Sequence, residues 1–140
     1  MERTLIFFKP NIILNKEVLN AFMMFFNDRR IFLRRYELQK YPKCFFKKFY
    51  AHVPEPNRSQ HSEFCSLGPI GVAILEGNGV VEKVRKIIGP TDSSKAGLQT
   101  LRGYFYRKYR PDVEYNNFIH ASATSDDAER EIRIFFGGIR

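Results

Sequence analysis

Asn117-Phe118-Ile119-His120-Ala121-Ser122-Ala123-Thr124-Ser125-Asp126-Asp127-Ala128-Glu129-Arg130-Glu131-Ile132 is the stretch around which this chain is organised. A short apolar approach delivers one histidine, a run of Ser, Thr and Asp follows, and a helix-forming segment then reaches Glu131. Thr124 or Ser125 is placed to cap that helix, whose last turn carries Glu131 back toward the start of the segment. Imidazole is the side chain best suited to act as nucleophile or base near neutral pH. It works only when its second ring nitrogen has a partner that fixes tautomer and orientation, most often a carboxylate. A lone histidine in a Ser/Asp-rich turn is ordinarily a surface residue, so the rest of the chain has to decide.

A chain of 140 residues fits one domain with a single core. Tryptophan is absent and Phe numbers 14, which predicts an aromatic core. Lys and Arg number 23 against 15 Asp and Glu, a net charge of +8 that favours phosphate-rich or otherwise anionic partners without choosing among them. Cys44 and Cys65 lie far apart and form no CxxC, so neither a metal site nor a disulfide is assigned. The N-terminus does not resemble a signal peptide, and no apolar stretch is long enough to cross a bilayer. The expectation is a cytoplasmic protein without membrane contact.

Arg3 to Phe8 is a continuous apolar, β-prone run, as for a strand buried on both faces, and it stops at Lys9-Pro10 because proline cannot donate to a ladder. Residues 16–29 read as an amphipathic helix and 31–38 as a second strand. A helix is expected over 44–51 and a shorter one over 60–65, with a buried strand over 70–77. Val80, Val81, Val84, Ile87 and Ile88 have helical spacing, and Gly89-Pro90 ends that helix. Residues 91–116 read as a long polar connection, of the kind that carries function or supports an assembly. Ile132 to Phe136 is taken as the last strand. The order predicts an α+β fold of the ferredoxin-like split β-α-β type: an antiparallel four-stranded sheet carrying helices, with a long loop before the histidine segment.

Several pieces, in order, resemble one family. Arg3-Thr4-Leu5-Ile6 ending in Lys9-Pro10, Phe49-Tyr50, Gly68-Pro69, Glu76-Gly77, Arg85, Ile88-Gly89-Pro90-Thr91, Leu101-Arg102-Gly103, and Asn117 to Ser122 with Ala128 and Glu131-Ile132 together look like nucleoside diphosphate kinase. The resemblance spans nearly the whole chain, residues 1–140 as a single domain of that kind. It implies a ping-pong transfer in which His120 takes the γ-phosphate of a nucleoside triphosphate and passes it to a nucleoside diphosphate. Lys9 would contact the phosphates and the ribose 3′-hydroxyl, and Tyr50 would help position the transferred group. Arg85, Thr91 and Arg102 would hold the phosphates, Asn117 would bond the ribose, and Ser122 and Glu131 would stand behind His120. Mg2+ is implied as cofactor, held mainly by the phosphates with no direct protein ligand, and a homo-oligomer is implied as the assembly.

Elementary chemistry suits this cast. Phosphoryl transfer spreads negative charge over equatorial oxygens, so catalysis is mainly positioning and electrostatics. Arginine supplies a donor fork and lysine a compact charge. No GxxxxGK[ST] is present, so a P-loop is not expected.

The sequence also departs from the family. Asn11 replaces an Asp, and Ala123 replaces an Asp that helps water-mediated magnesium binding. Asn57 falls near the position of a stacking Phe, so base recognition is expected to be altered while chemistry is retained. His61 stands where the family has an apolar residue, on the other side of the base. Gly97-Leu98-Gln99 replaces Lys-Pro-Gly in the long loop, and Tyr106 to Asp112 looks like a basic insertion. A second reading is a nucleotide- or nucleic-acid-binding protein on the same scaffold with little turnover, supported by the charge and by the interleaved Arg and Tyr of 104–109.

Overall fold

A computed structural model describes residues 1–27, 30–91, 95–109 and 118–137. Its elements are β1 (Glu2–Phe8), α1 (Lys16–Phe25), β2 (Phe32–Gln39), α2 (Lys43–Phe49), α3 (Asn57–Cys65), β3 (Ile70–Gly77), α4 (Val80–Ile88), α5 (Leu101–Tyr109), β4 (Ile119–Ala121) and α6 (Ser125–Phe136). The four strands form one sheet in the order β2-β3-β1-β4, every neighbouring pair antiparallel. This is the expected ferredoxin-like α+β arrangement.

The apolar runs of β1 and β3 follow from their central place. Alternate residues of a strand face opposite sides of the sheet. Ile6, Phe8, Ala73 and Leu75 therefore join one buried cluster with Val80, Val84 and Ile88 of α4 and Leu101 and Phe105 of α5. Leu5, Phe7, Val72 and Ile74 join a second cluster with Phe46 and Phe49 of α2, Cys65 of α3, and Ile132 and Phe136 of α6. Both faces of the sheet are covered, which is why these strands show no polar alternation although they are antiparallel. β2, at the edge, is mostly exposed.

Two expectations about the chain's second half need correction. Ile132 to Phe136 is not a strand but the end of α6. Ala128, Ile132 and Phe136 recur every four residues and are buried, a helical stripe that outweighs the β-propensity of the Ile and Phe residues. The closing strand is instead the three-residue β4, on the histidine itself. The connection from 91 onward also contains α5, anchored by Leu101 and Phe105, both fully buried four residues apart. The first part of the proposed insertion, Tyr106 to Tyr109, is thus helical, while its remainder lies outside the described residues.

Local chemistry fixes the helix ends that matter. Asn15 Oδ1 accepts from Glu17 N at 2.9 Å at the start of α1. Glu55 accepts from both the backbone N and the hydroxyl of Ser59 at 2.9 Å, which lets α3 begin at Asn57, earlier than the apolar pattern indicates. Thr124 is extended and its Oγ1 accepts from Asp127 N at 3.1 Å, while Asp126 and Asp127 in the first turn complement the helix dipole. Gly137 closes α6 at φ 76°, a left-handed geometry natural to glycine. Replacing Thr124 with Ala is expected to lower unfolding stability by about 1 kcal/mol, the usual cost of an N-cap. Urea denaturation with an unchanged slope checks it.

Candidate active site

The strand register places the histidine. Phe7 of β1 lies opposite His120 of β4, and directly opposed residues share a face. The Phe7 ring stacks on the imidazole at 4.9 Å and 21°, and Phe49 meets it edge-on at 5.1 Å. These rings hold the imidazole plane. Its rotation is fixed by α6: Nε2 lies 2.9 Å from Glu131 Oε1. Ser122, fully buried, donates to the same carboxylate oxygen at 2.7 Å and accepts from Leu5 N at 3.2 Å. Arg130 Nη2 stands 3.6 Å from Glu131 Oε2. A carboxylate left 3% exposed is thus answered by an imidazole, a hydroxyl and a guanidinium. Because an ionised carboxylate only accepts, Nε2 carries the proton. Nδ1 is then the unprotonated nitrogen, with no hydrogen-bond partner among the described residues.

In front of His120 is a half-closed cavity of about 160 Å³, lined by Lys9, Tyr50, His61, Arg85, Ile88, Gly89, Thr91, Arg102, Ile119, His120 and Ala121. It is below the ~300 Å³ at which whole small-molecule pockets begin, so it admits a small charged group or the end of a larger ligand. A larger and more open depression of about 550 Å³ adjoins it through Arg85 and Gly89.

The lining is cationic and built from separate elements. Lys9, at the end of β1, is 4% exposed. Burial is the main force that lowers its pKa to about 8; the Cys65 thiol opposes this and the Arg102 guanidinium adds to it. Arg102 of α5 is 7% exposed. Its Nη1 donates to Gly89 O at 2.8 Å and its Nη2 to Ile119 O at 2.6 Å, while Nε is buried with no hydrogen-bond partner among the described residues. Burial, with Arg85 nearby, brings its pKa down to about 10. Arg102 thereby ties the end of α4 to the strand that carries His120. Gly89 has φ 93°, and a Cβ there would press on Thr100 Oγ1 at 2.7 Å, so the carbonyl that Arg102 grips depends on glycine. Arg85 and Thr91 are exposed at the rim. Tyr50 is buried with its hydroxyl 3.7 Å from Cys65 Sγ, and burial first, then the thiol, push its pKa well up.

Of the site residues expected from sequence, Lys9, Tyr50, Arg85, Thr91, Arg102 and His120 meet in this one cavity. Ser122 and Glu131 stand directly behind the histidine. Asn57 is exposed at the start of α3 and does not line the cavity, and Asn117 lies outside the described residues. The clamp by Phe7 and Phe49 was not foreseen; the only sequence signal was the aromatic run on β1 and α2. The lining holds no carboxylate, and no group of three or more His, Cys, Asp or Glu side chains is set to hold a metal ion among the described residues. No helix among them is long and apolar enough to cross a membrane.

The family model of nucleoside diphosphate kinase matches residues 2–139. A nucleoside diphosphate kinase of Thermosipho africanus is 35% identical over 137 residues, covering 97% of this chain and 89% of that protein. The crystal structure of the Aquifex aeolicus nucleoside diphosphate kinase superposes with a TM-score of 0.83 at 30% identity, over 98% of this chain and 96% of that one. A halophilic nucleoside diphosphate kinase from Halobacterium salinarum, solved in complex with CDP, superposes with a TM-score of 0.76 at 26% identity, over 96% and 87% of the two chains.

Buried cations without carboxylate partners bind anions in their charged state. With the Lys9 pKa at about 8, affinity for an anionic ligand such as ADP is expected to fall as pH rises through that value, because deprotonation removes a buried positive charge from the cavity. Titration calorimetry should show this alkaline decline in the wild type. In Lys9→Met it should be absent, with weaker binding throughout.

Proposed function

The chain belongs to the nucleoside diphosphate kinase family, and we propose that it transfers the γ-phosphate of a nucleoside triphosphate to a nucleoside diphosphate through a phosphohistidine at His120. The observation that carries this reading is the orientation of His120. Its Nε2 is committed to Glu131 Oε1 at 2.9 Å, which leaves the Nδ1 lone pair for attack.

In the first half-reaction Nδ1 forms a bond to the γ-phosphorus while the bond to the β,γ-bridging oxygen breaks. The nucleoside diphosphate departs with that electron pair. Positive charge grows on the imidazole as the N–P bond forms, and the buried Glu131 carboxylate offsets it through the Nε2–H hydrogen bond. Ser122 keeps the carboxylate in place. In the second half-reaction a terminal oxygen of an incoming nucleoside diphosphate attacks phosphorus, and the N–P pair returns to Nδ1. A neutral nucleophile avoids the repulsion that an anionic one meets beside a polyphosphate.

Lys9, Arg85, Thr91 and Arg102 are assigned to the phosphates, Arg102 by way of N–H donors that its two carbonyl bonds leave over. Tyr50 closes the cavity beside Lys9. Asn117 is assigned to the ribose, and Asn57 at most to the outer end of the nucleotide. A divalent cation, Mg2+ in our reading, would supply charge neutralisation on the phosphate oxygens; a lining without carboxylates among the described residues fits a metal carried by the nucleotide rather than by the chain. The CDP bound by the Halobacterium salinarum relative supports nucleotides as substrates. A cytoplasmic setting suits such substrates.

A homo-oligomer is part of the proposal. Phe32, Leu33, Tyr36 and Leu38 are exposed on β2, whose outer edge pairs with no strand among the described residues, and Met23 and Met24 are exposed on α1. Such an edge is normally covered or guarded. Sedimentation equilibrium should find the wild type above monomer mass and Leu33→Arg shifted toward monomer; a monomeric wild type refutes the assembly.

Incubation with γ-labelled ATP and Mg2+ tests the transfer. The wild type should acquire acid-labile, base-stable label that GDP removes, and His120→Ala should acquire none. Glu131→Gln should be labelled roughly 10- to 100-fold more slowly, the usual cost of removing the group that orients a histidine. If ATP binds and no label appears, the transfer is refuted, and a binding protein on the same scaffold becomes the better account.

A further inference from the structure

His61 enters the same cavity from α3, alongside Lys9, Arg85 and Arg102, where the family resemblance leads one to expect an apolar side chain. Its ring is half-buried, lies 5.5 Å from that of Tyr50, and makes no hydrogen bond among the described residues. Both ring nitrogens are therefore available to a ligand. Ser62 and Cys65, its buried neighbours on α3, fix the helix face that presents it. We propose that His61 is a nucleotide-contacting residue that grips the polyphosphate as an imidazolium, so that binding takes up a proton. The inference rests on the nucleotide-binding reading above and adds to it a further polyphosphate-contacting residue.

The charges around His61 decide the direction of the effect. The cavity brings Lys9 from just past β1, Arg85 from α4 and Arg102 from α5 to the same space, with Tyr50 at the end of α2 and His120 on β4; Cys65 of α3 itself lies 3.7 Å from the Tyr50 hydroxyl. Glu131, behind His120, already accepts from that ring and from Ser122. Without ligand, His61 thus faces cations, with no free carboxylate among the described residues lining the cavity. Burial, and after it Lys9, hold its pKa below the ordinary histidine range. An arriving polyphosphate reverses the local sign, favours the imidazolium, and raises that pKa. Affinity must then rise as pH falls between the two values. An apolar side chain here would lack this response, and because phosphate is common to all nucleotides the response does not depend on the base.

The test is ADP–Mg2+ titration calorimetry from about pH 8 to about pH 5.5, the interval in which histidine charges. It is performed on His120→Asn, which removes the other imidazole of the cavity, and on the same chain carrying His61→Gln or His61→Leu. Protonation of ADP itself is common to all three and cancels in the comparison. The His61-containing protein should gain affinity on acidification relative to both double variants by roughly fivefold or more, the lower end of ordinary coupling. It should also take up more protons on binding, as read in buffers of different ionisation enthalpy. GDP should give the same difference as ADP. Parallel pH curves for the three proteins overturn the role of His61 and leave nucleotide binding standing. A difference seen with one base only overturns the polyphosphate contact. Failure of ADP to bind at any pH overturns both this inference and the function it rests on.

Discussion

A carboxylate with 3% of its surface exposed is sustained only by partners that answer its charge, and Glu131 is the constraint on which this site depends. Three elements meet there: β4 through His120, the turn after it through Ser122, and α6 through Glu131 and Arg130. Ser122 also bonds the β1 backbone at Leu5, so the acid is tied to the central strand. The same α6 buries Ala128, Ile132 and Phe136 against the sheet. Packing of the helix therefore sets the position of the carboxylate, and the carboxylate sets the imidazole.

The opposite side of the histidine is governed by repulsion. Lys9 and Arg102 are nearly buried, near one another, and unaccompanied by any carboxylate among the described residues of the cavity. Such an arrangement costs free energy in the absence of ligand and is relieved by an anion. Two of the arginine's donors are spent on backbone carbonyls at Gly89 and Ile119, which makes Arg102 a brace as well as a charge. The wall in front of His120 is thus closed at Lys9 and Arg102 and more open at Arg85 and Thr91 on the rim.

Much of this was legible in the residues, for identifiable reasons. β3 and α4 have the bounds the pattern indicates, because Ile70–Gly77 is buried on both faces and Val80–Ile88 carries a clear helical stripe. The candidate site side chains stand in the sequence as an ordered set, and six of them share the cavity. The end of the chain was misread because Ile132-Arg133-Ile134-Phe135-Phe136 has strand composition, while its helical stripe shows only when Ala128 is counted with it. β4, at three residues, is too short to leave a periodic signal. α5 was hidden by Gly103 and by its few apolar positions; Gly103 is needed there because a side chain would strike the Gly97 carbonyl. The Phe7–His120 stack could not be foreseen without the β1–β4 register.

The central claim is that Glu131 holds Nε2 of His120 and leaves Nδ1 as the nucleophile. The most direct measurement is phosphorus–nitrogen NMR of ¹⁵N-histidine-labelled protein after brief reaction with ATP and Mg2+. The account predicts a phosphoryl group coupled to Nδ1 of His120, with Nε2 still protonated. Phosphorus on Nε2, or on another side chain, would contradict it.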